Sequence, residues 1–457
     1  MEKITKYLVI FLVAIIPLHA LLITTLKCKF GMNTDILRFW KEFILIFLFL
    51  LAFFKTLTRF KWNFSKLYKN NYILGTTTVF ALVSLAFIFL PFGQPKLSSF
   101  LGFKYDVFFL IALVIGLYLP VIKNNFEIIL KTIFGISGLI LAIFLPWYLF
   151  GDISAVTSIF GFSDKVSTYD VNSCISFAQN VNGQNRFQGT FSGPIRWSVF
   201  LTTFYLIYLG FILNKVNLKN KLSTEGFSLL NILLIIIPSI FVITSIFYSY
   251  SKTTILGLFF GISLFSYLVF KIKYNKKIST KFLLFSGTIL SAGLVGLLII
   301  KKDVFLHLGS VLNRFDNLKT SVEMFLWNPL GYGLGIAGPA SWTGNSIESA
   351  GSWEVAVIST EYTHKFLPEN WFVQILLEQG IIGFGLFIGV ISIIGIKLFT
   401  IVKKKKDYLS IGIFTSFITL VFMANFTHAF EESATSYILF LIIGAYIAKN
   451  NLIKRKK

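Results

Sequence analysis

The residues of this sequence that could do chemistry are a few cations and acids that border long apolar stretches. The cations are Lys104, Arg186, Arg196, Lys252, Arg314 and Lys365. A guanidinium group offers planar, paired donors to phosphate oxygens, so we expect Arg186 and Arg314, with Lys252 as support, to bind a pyrophosphate ester. Glu369 and His364 are the acid or base candidates, because transfer from such an ester to a hydroxyl needs a positioned base and a stabilised leaving group.

Plainer interpretations of the same residues stay open. Isolated Arg and Lys side chains also extend to lipid head groups, and this alternative is stronger for Arg196 and Lys365. His364 could be an ordinary polar loop residue. Asn370 and Gln374 are either acceptor-side groups or residues that join helices by hydrogen bonds, since polar side chains within a membrane usually face a bundle interior or an aqueous cavity.

Glycines accompany these residues at two places. Gly189, three residues after Arg186, is predicted to let the backbone turn closely beneath a bound ligand. Gly380, Gly383 and Gly385 are predicted to allow close packing of their helix.

Several chemistries lose their usual support because their motifs do not occur in the sequence. It contains no GxxxxGK[ST] phosphate loop, no HExxH, no CxxC and no Gly-x-Ser-x-Gly, which disfavours ATP-driven transport, zinc hydrolysis and ordinary serine hydrolysis. The first outer connection, "KCKFGMNTD", has no acidic Asp-x-Asp or Glu-x-Asp motif. The sequence therefore predicts chemistry without a metal and without a cofactor.

The elements that must position these residues are membrane helices. The chain is 55% hydrophobic and 14% charged, with a mean hydropathy of +0.77, which no ordinary water-soluble domain of 457 residues shows. Stretches long enough to cross a bilayer predict an all-α polytopic membrane protein, a single membrane domain over 1–457 with about twelve transmembrane helices. The predicted spans lie at about 7–26, 38–54, 72–91, 104–122, 128–150, 194–213, 227–248, 254–270, 282–300, 371–396, 409–425 and 435–448.

The basic connections predict the orientation of these spans. Segments such as "KTLTRFKWNFSKLYK", "KIKYNKK" and the tail "KNNLIKRKK" all fall on one side, which the positive-inside rule assigns to the cytoplasm together with both termini. The net charge of +22 then reflects topology and contact with anionic lipid in the bilayer, and no nucleic acid is implied. Cys28 and Cys174 both fall on the outer side, where a disulfide between them is one option.

Two long outer connections, 151–193 and 301–370, are predicted to be folded and functional. The second is predicted to contain an amphipathic helix, because apolar residues from Val304 to Phe325 recur at spacings of three and four. This helix would either lie on the membrane surface or cover the bundle, and Arg314 would point along the membrane boundary. The span that follows opens with "LPENWFVQILLEQG", in which Asn370, Gln374 and Glu378 share roughly one face.

Five segments together resemble the O-antigen ligase and O-antigen polymerase superfamily. They are "GFKYDVFFL", "RFQGTFSGP", "YSYSKT", "NRFDNLKTSVEMFLWNPLGYGLG" and "PENWFVQILLEQGIIG", in this order over about two thirds of the chain. The resemblance implies a class C glycosyltransferase-like enzyme in the bacterial cytoplasmic membrane, which transfers glycans from undecaprenyl pyrophosphate with inversion and without metal. It also implies that Arg186, in the family's Arg-x-x-Gly, and Arg314 contact the donor diphosphate.

The departures from the family pattern favour a polymerase of lipid-linked repeat units for a surface polysaccharide. Lys104 and Lys252 stand where arginine is common, and Glu369 in "PENW" stands where ligases typically show a histidine. The alternatives are a ligase that delivers the glycan to lipid A core or another acceptor, and a twelve-span transporter or flippase. A polymerase would have the lipid-linked glycan as its substrate, with a chain-length regulator and a flippase of the same pathway as partners.

Overall fold

The computed structural model describes residues 2–59, 61, 72–89, 96–151, 153–162, 179–181, 184–222, 229–275, 309–342 and 368–451. Long helices account for most of these residues. In chain order they are α1 (Glu2–Lys29), α2 (Trp40–Arg59), α3 (Tyr72–Phe89), α4 (Lys96–Tyr118), α5 (Phe126–Phe150), α6 (Pro194–Leu222), α7 (Leu229–Tyr248), α8 (Lys252–Leu268), α9 (Gly309–Trp327), α10 (Trp371–Lys405), α11 (Tyr408–Met423) and α12 (Ser433–Asn451). Helix α1 includes short 3₁₀ and π segments, and short helices also lie at Pro120–Asn124 and Ile153–Phe160.

Eight helices in the described part of the chain are long and apolar enough to cross a membrane. A helix also occupies eleven of the twelve stretches predicted as spans, while the predicted span at 282–300 lies outside the described residues. Large apolar side chains such as Leu82, Ile237 and Ile381 point outward and are about half exposed, as expected for surfaces that face lipid. The prediction of an all-α polytopic membrane protein is confirmed, and the exact number of spans stays a prediction.

Glycine contacts bring two pairs of helices close together. A Cβ on Gly116 of α4 would lie within 3.1 Å of Gly444 of α12, and a Cβ on Gly210 of α6 would lie at the same distance from Gly412 of α11. Small residues at such crossings let the backbones of membrane helices approach each other. By contrast, a Cβ on Gly385 would meet nothing within 4 Å, so the prediction that this glycine serves close packing is wrong.

Helix α10 is interrupted at Gly380, which has φ 61° and ψ −166°. The break receives the loop that follows α9: the amide of Ile381 donates to the Pro329 carbonyl at 2.9 Å, and the amide of Tyr332 donates to the Leu377 carbonyl at 2.8 Å. A Cβ on Gly380 would overlap the backbone of Leu330. The glycine is therefore required where loop and helix share backbone hydrogen bonds.

The predicted amphipathic helix exists as α9. Phe315, Leu318 and Val322 of the apolar stripe are 65%, 42% and 50% exposed, whereas Ser321 is buried. This part of the stripe faces away from the bundle, as suits the membrane surface, while Phe325 at its end packs against the buried cluster that contains Leu377 of α10. Val304 and Leu308, the start of the stripe, lie outside the described residues.

A short antiparallel hairpin lies between α5 and α6. Strand β1 (Gln179–Val181) pairs with β2 (Gln184–Arg186), and Gln179 is opposite Arg186. Helix α6 then begins at Pro194, whose fixed φ and missing N–H suit a first helical position. The hairpin thus delivers Arg186 to the end of the bundle at which α6, α8 and α10 begin.

Candidate functional site

Arg314 and Glu369 form a direct ion pair. The Arg314 Nε donates to Glu369 Oε2 at 2.6 Å, and the two side chains are 35% and 38% exposed. Arg314 lies near the start of α9, and Glu369 lies two residues before α10. Arg314 therefore contacts the residues at the start of α10, and its direction along the membrane boundary stays a prediction.

Arg186 is tied to the turn between α7 and α8. Its Nε donates to the Ser249 carbonyl at 2.8 Å, and the amide of the next residue, Phe187, donates to the Tyr248 carbonyl at 2.9 Å. Ser249 is three residues before Lys252, the first residue of α8. The end of the hairpin and the start of α8 are thereby held side by side.

Lys252 directly follows the turn that Arg186 contacts and lies within electrostatic range of Arg314. It is half-buried and close enough to Arg314 for the two positive charges to repel each other. Arg186, Lys252, Arg314 and Glu369 thus lie at one end of the bundle, in a group that we call the cationic cluster. Its members come from four places: the end of the β hairpin, the start of α8, the amphipathic helix α9 and the residues just before α10.

Two residues of this region have a left-handed backbone although they are not glycine. Tyr250 has φ 48° and Glu369 has φ 49°. Bulky residues in this region cost on the order of 1–3 kcal/mol and persist where the surrounding structure holds them, often at functional sites. Burial also raises the pKa of the Tyr250 phenol, which keeps it neutral and able to donate a hydrogen bond.

Gly189 has φ 56° and lies against Trp197, which explains why a glycine is needed at this position. A Cβ at this position would lie 3.0 Å from the indole ring of Trp197, whose Nε1 donates to Ser245 Oγ at 2.8 Å. The tight turn that the sequence predicts is present. Its observed neighbour is a buried tryptophan, and contact with a ligand stays a prediction.

Asn370 and Gln374 make contacts that organise the start of α10. The Asn370 Oδ1 accepts from the amides of Phe372 and Val373 at 3.0 and 3.2 Å, which is an N-cap. Gln374 Oε1 lies 2.9 Å from His428 Nδ1 in the turn before α12. These contacts fit the helix-joining interpretation, and an acceptor-side role of either residue stays a prediction.

Sequence reasoning missed His428. It lies beside Trp371, with ring centroids 6.4 Å apart, and its Nε2 has no hydrogen-bond partner within the described residues. Burial, with the nearby Arg196, lowers the pKa of His428 to about 3, so the imidazole is neutral at physiological pH. The sequence does carry a signal for it, because the predicted outer connection "FTHAFEES" contains a histidine and two acids.

Glu378, on the same helix, supports the loop after α9. Its Oε1 accepts from the amides of Gly335 and Ala337 at 3.0 and 3.3 Å. The buried carboxylate therefore holds the "GYGLGIAG" loop against α10, and through that loop it fixes the helix that carries Arg314. His364 and Lys365 lie outside the described residues. Within the described part of the chain, no group of three His, Cys, Asp or Glu side chains could hold a metal.

The fold and the cationic cluster define an all-α polytopic membrane protein with a positively charged, half-buried site at one end of its bundle. Residues 237–388 match the family described as O-antigen ligase, which confirms the resemblance predicted from the sequence motifs. The match covers about a third of the chain; it includes Lys252, Arg314 and Glu369, and Arg186 precedes it. No match to the chain was found among curated proteins.

Proposed function

We propose that this protein polymerises undecaprenyl-pyrophosphate-linked oligosaccharide repeat units into a surface polysaccharide. The reaction is a metal-independent, inverting glycosyl transfer on the outer face of the cytoplasmic membrane. The observation that carries the proposal is the ion pair of Arg314 with Glu369 near Lys252, at the end of the bundle that also holds Arg186. The match to the O-antigen ligase family supports the class of reaction.

The charge of the cationic cluster suits a diphosphate. The cluster contains three cations, and a pyrophosphate diester carries two negative charges. The repulsion between Lys252 and Arg314 would be relieved by an anion between them, and arginines bind phosphate oxygens with paired donors. These groups would also stabilise the charge that develops on the leaving pyrophosphate.

The ion pair of Arg314 and Glu369 couples donor binding to the base. Arg314 holds the Glu369 carboxylate at 2.6 Å. The donor diphosphate competes for Arg314, and the carboxylate is then free to accept the proton of the acceptor hydroxyl. The hydroxyl oxygen bonds to the anomeric carbon, the bond from that carbon to the pyrophosphate oxygen breaks, and undecaprenyl pyrophosphate leaves.

A disulfide supports the proposed orientation. Cys28, at the end of α1, is disulfide-bonded, and Cys174, the other of the two cysteines in the chain, lies outside the described residues. Disulfides persist in oxidising compartments and are rare in the cytoplasm. The disulfide therefore supports an outer location for the end of α1 and for the cationic cluster.

A charge exchange separates a catalytic ion pair from a structural one. Arg186→Ala and Arg314→Ala should leave the protein inserted in the membrane but stop chain elongation. The double exchange Arg314→Glu with Glu369→Arg should restore the melting temperature lost in either single exchange, yet it should not restore polymer. Lys131→Ala, an exposed cation that pairs with Glu127 on α5, is the control and should give normal polymer. Normal polymer length in Arg186→Ala or Arg314→Ala would overturn the donor site.

A ligase is the second candidate, because the matched family is described as O-antigen ligase. A deletion strain separates the two activities by its glycans. Loss of a polymerase leaves a single repeat unit attached to the acceptor. Loss of a ligase leaves no glycan attached, and the polymer remains on the lipid carrier.

A further inference from the structure

A second polar site lies at the same end of the bundle as the cationic cluster. A cavity of about 610 Å³ opens between the end of α1, the starts of α2 and α4, the loop before α6 and the turn before α12. This volume falls in the range of roughly 300–1,000 Å³ that is usual for small-molecule sites. None of the four members of the cationic cluster lines it.

Buried charges form one wall of the cavity. Lys41 of α2 and Lys104 of α4 are 5% and 9% exposed, and each Nζ lies 3.6 Å from a carboxylate oxygen of Glu42. Ionisable groups within membrane helices are costly and usually mark functional sites. A neutral core would pack this crossing of α2 and α4 without that cost.

Another set of paired charges also lines the cavity. The guanidinium of Arg196, on the first turn of α6, lies 3.1 Å from Glu431 and 3.7 Å from Glu432, and it donates to Ser192 Oγ at 2.7 Å. Burial raises the pKa of the Glu431 carboxyl. Arg196 is thus part of a polar wall, whereas the stronger interpretation from the sequence placed it at lipid head groups.

Aromatic rings and a hydroxyl complete the lining. Phe39, Tyr105 and Phe191 border the cavity, and the Lys104 ammonium lies 4.3 Å from the centre of the Tyr105 ring. Thr24 also lines it; its Oγ1 is buried and has no hydrogen-bond partner among the described residues. The cavity therefore offers apolar ring faces beside donors and acceptors.

Carboxylates lie among the cations of this lining. Lys41 and Lys104 share Glu42, and Arg196 lies beside Glu431 and Glu432. Alternating charged donors and acceptors match hydroxyl groups, which both donate and accept, and ring faces match the C–H surfaces of a sugar.

We propose that this cavity binds the acceptor oligosaccharide, the hydroxyl-rich sugars whose terminal hydroxyl attacks the donor. The proposal rests on the proposed function and assigns the second substrate of that reaction to its own site. The segment 186–196 joins the two sites, because Arg186 belongs to the cationic cluster while Phe191, Ser192 and Arg196 line the cavity. Donor diphosphate and acceptor sugars would therefore lie at the two ends of one short segment.

A cavity-filling substitution tests this assignment without removing a buried charge. Leu97, on the first turn of α4, lines the cavity and is 57% exposed, and Phe100, one turn later, is 47% exposed and does not line it. The variants are Leu97→Trp and the matched control Phe100→Trp, each in the full-length protein in detergent. The probe is the repeat-unit oligosaccharide released from its carrier by mild acid, titrated by calorimetry.

Leu97→Trp should weaken binding of the free oligosaccharide at least tenfold, while Phe100→Trp and Arg314→Ala should bind it as the wild type does. In a transfer assay with a lipid-linked donor and a capped acceptor that cannot itself donate, Leu97→Trp should raise the acceptor KM and leave the donor KM unchanged. Equal oligosaccharide binding by Leu97→Trp and the wild type would overturn the assignment of this cavity to the acceptor. Oligosaccharide binding without any transfer by the wild type would instead overturn the proposed function.

Discussion

The Gly380→Ala substitution tests how the bundle supports the cationic cluster. Gly380 has φ 61° and ψ −166°, a region that is essentially restricted to glycine and costs other residues about 1–3 kcal/mol. Its added Cβ would also overlap the backbone of Pro329 and Leu330, and overpacking typically costs another 1–3 kcal/mol or so. We expect a loss of about 2–6 kcal/mol in the free energy of unfolding.

The loss should appear in both stability and transfer, because the same loop holds α9 and therefore Arg314. The assay is the apparent melting temperature in detergent, followed by the length of the polymer made in a deletion strain. Gly385→Ala is the matched control: it lies on the same helix, its Cβ would meet nothing within 4 Å, and alanine favours a helix. If Gly380→Ala has the same melting temperature as the wild type and Gly385→Ala, the break in α10 at Gly380 does not anchor the loop.

Two further predictions follow from groups outside the cationic cluster. Because the pKa of His428 is about 3 in the folded protein and 6.5 without its environment, protons bind the unfolded state more strongly below pH 6.5. The free energy of unfolding should therefore fall between pH 6.5 and 4, by at most about 1.4 kcal/mol per pH unit. Melting curves of His428→Gln should show a smaller fall over this range. The same pH dependence in His428→Gln and the wild type would refute the role of His428. Since Cys28 is disulfide-bonded, a maleimide should label the denatured protein only after reduction, and labelling without a reductant would contradict both the bond and the proposed orientation.

Much of the fold could be predicted because membrane helices depend on long apolar stretches. Length and apolar character alone locate helices such as α3 and α5 to within a few residues. The orientation of α9 could not be predicted in this way. Its stripe from Phe315 to Val322 shows the period of a helix with one apolar face, but the same period serves a helix that faces lipid and one that faces protein.

The candidate site was partly visible in the sequence for a similar reason. Arg186, Lys252, Arg314 and Glu369 were singled out because charges on the outer side of a membrane protein need an explanation. Their direct partners were not visible, because the pairing of Arg314 with Glu369 joins residues 55 positions apart. His428 and the cavity at Lys104 and Arg196 depend on contacts between distant helices, and no local pattern reports such contacts.

The segment from Arg186 to Trp197 explains how two substrates could be held at a fixed separation. It is anchored along its length by different elements: Arg186 bonds to the turn before α8, and Thr190 Oγ1 donates to the Pro17 carbonyl of α1 at 2.7 Å. Trp197 then fixes the start of α6 through Ser245 of α7. Because the anchors belong to different helices of the bundle, the distance between the proposed donor site and the proposed acceptor cavity is set by helix packing and not by a flexible loop. Transfer between two bound substrates depends on such preorganisation, since a small misplacement of the reacting atoms lowers the rate steeply.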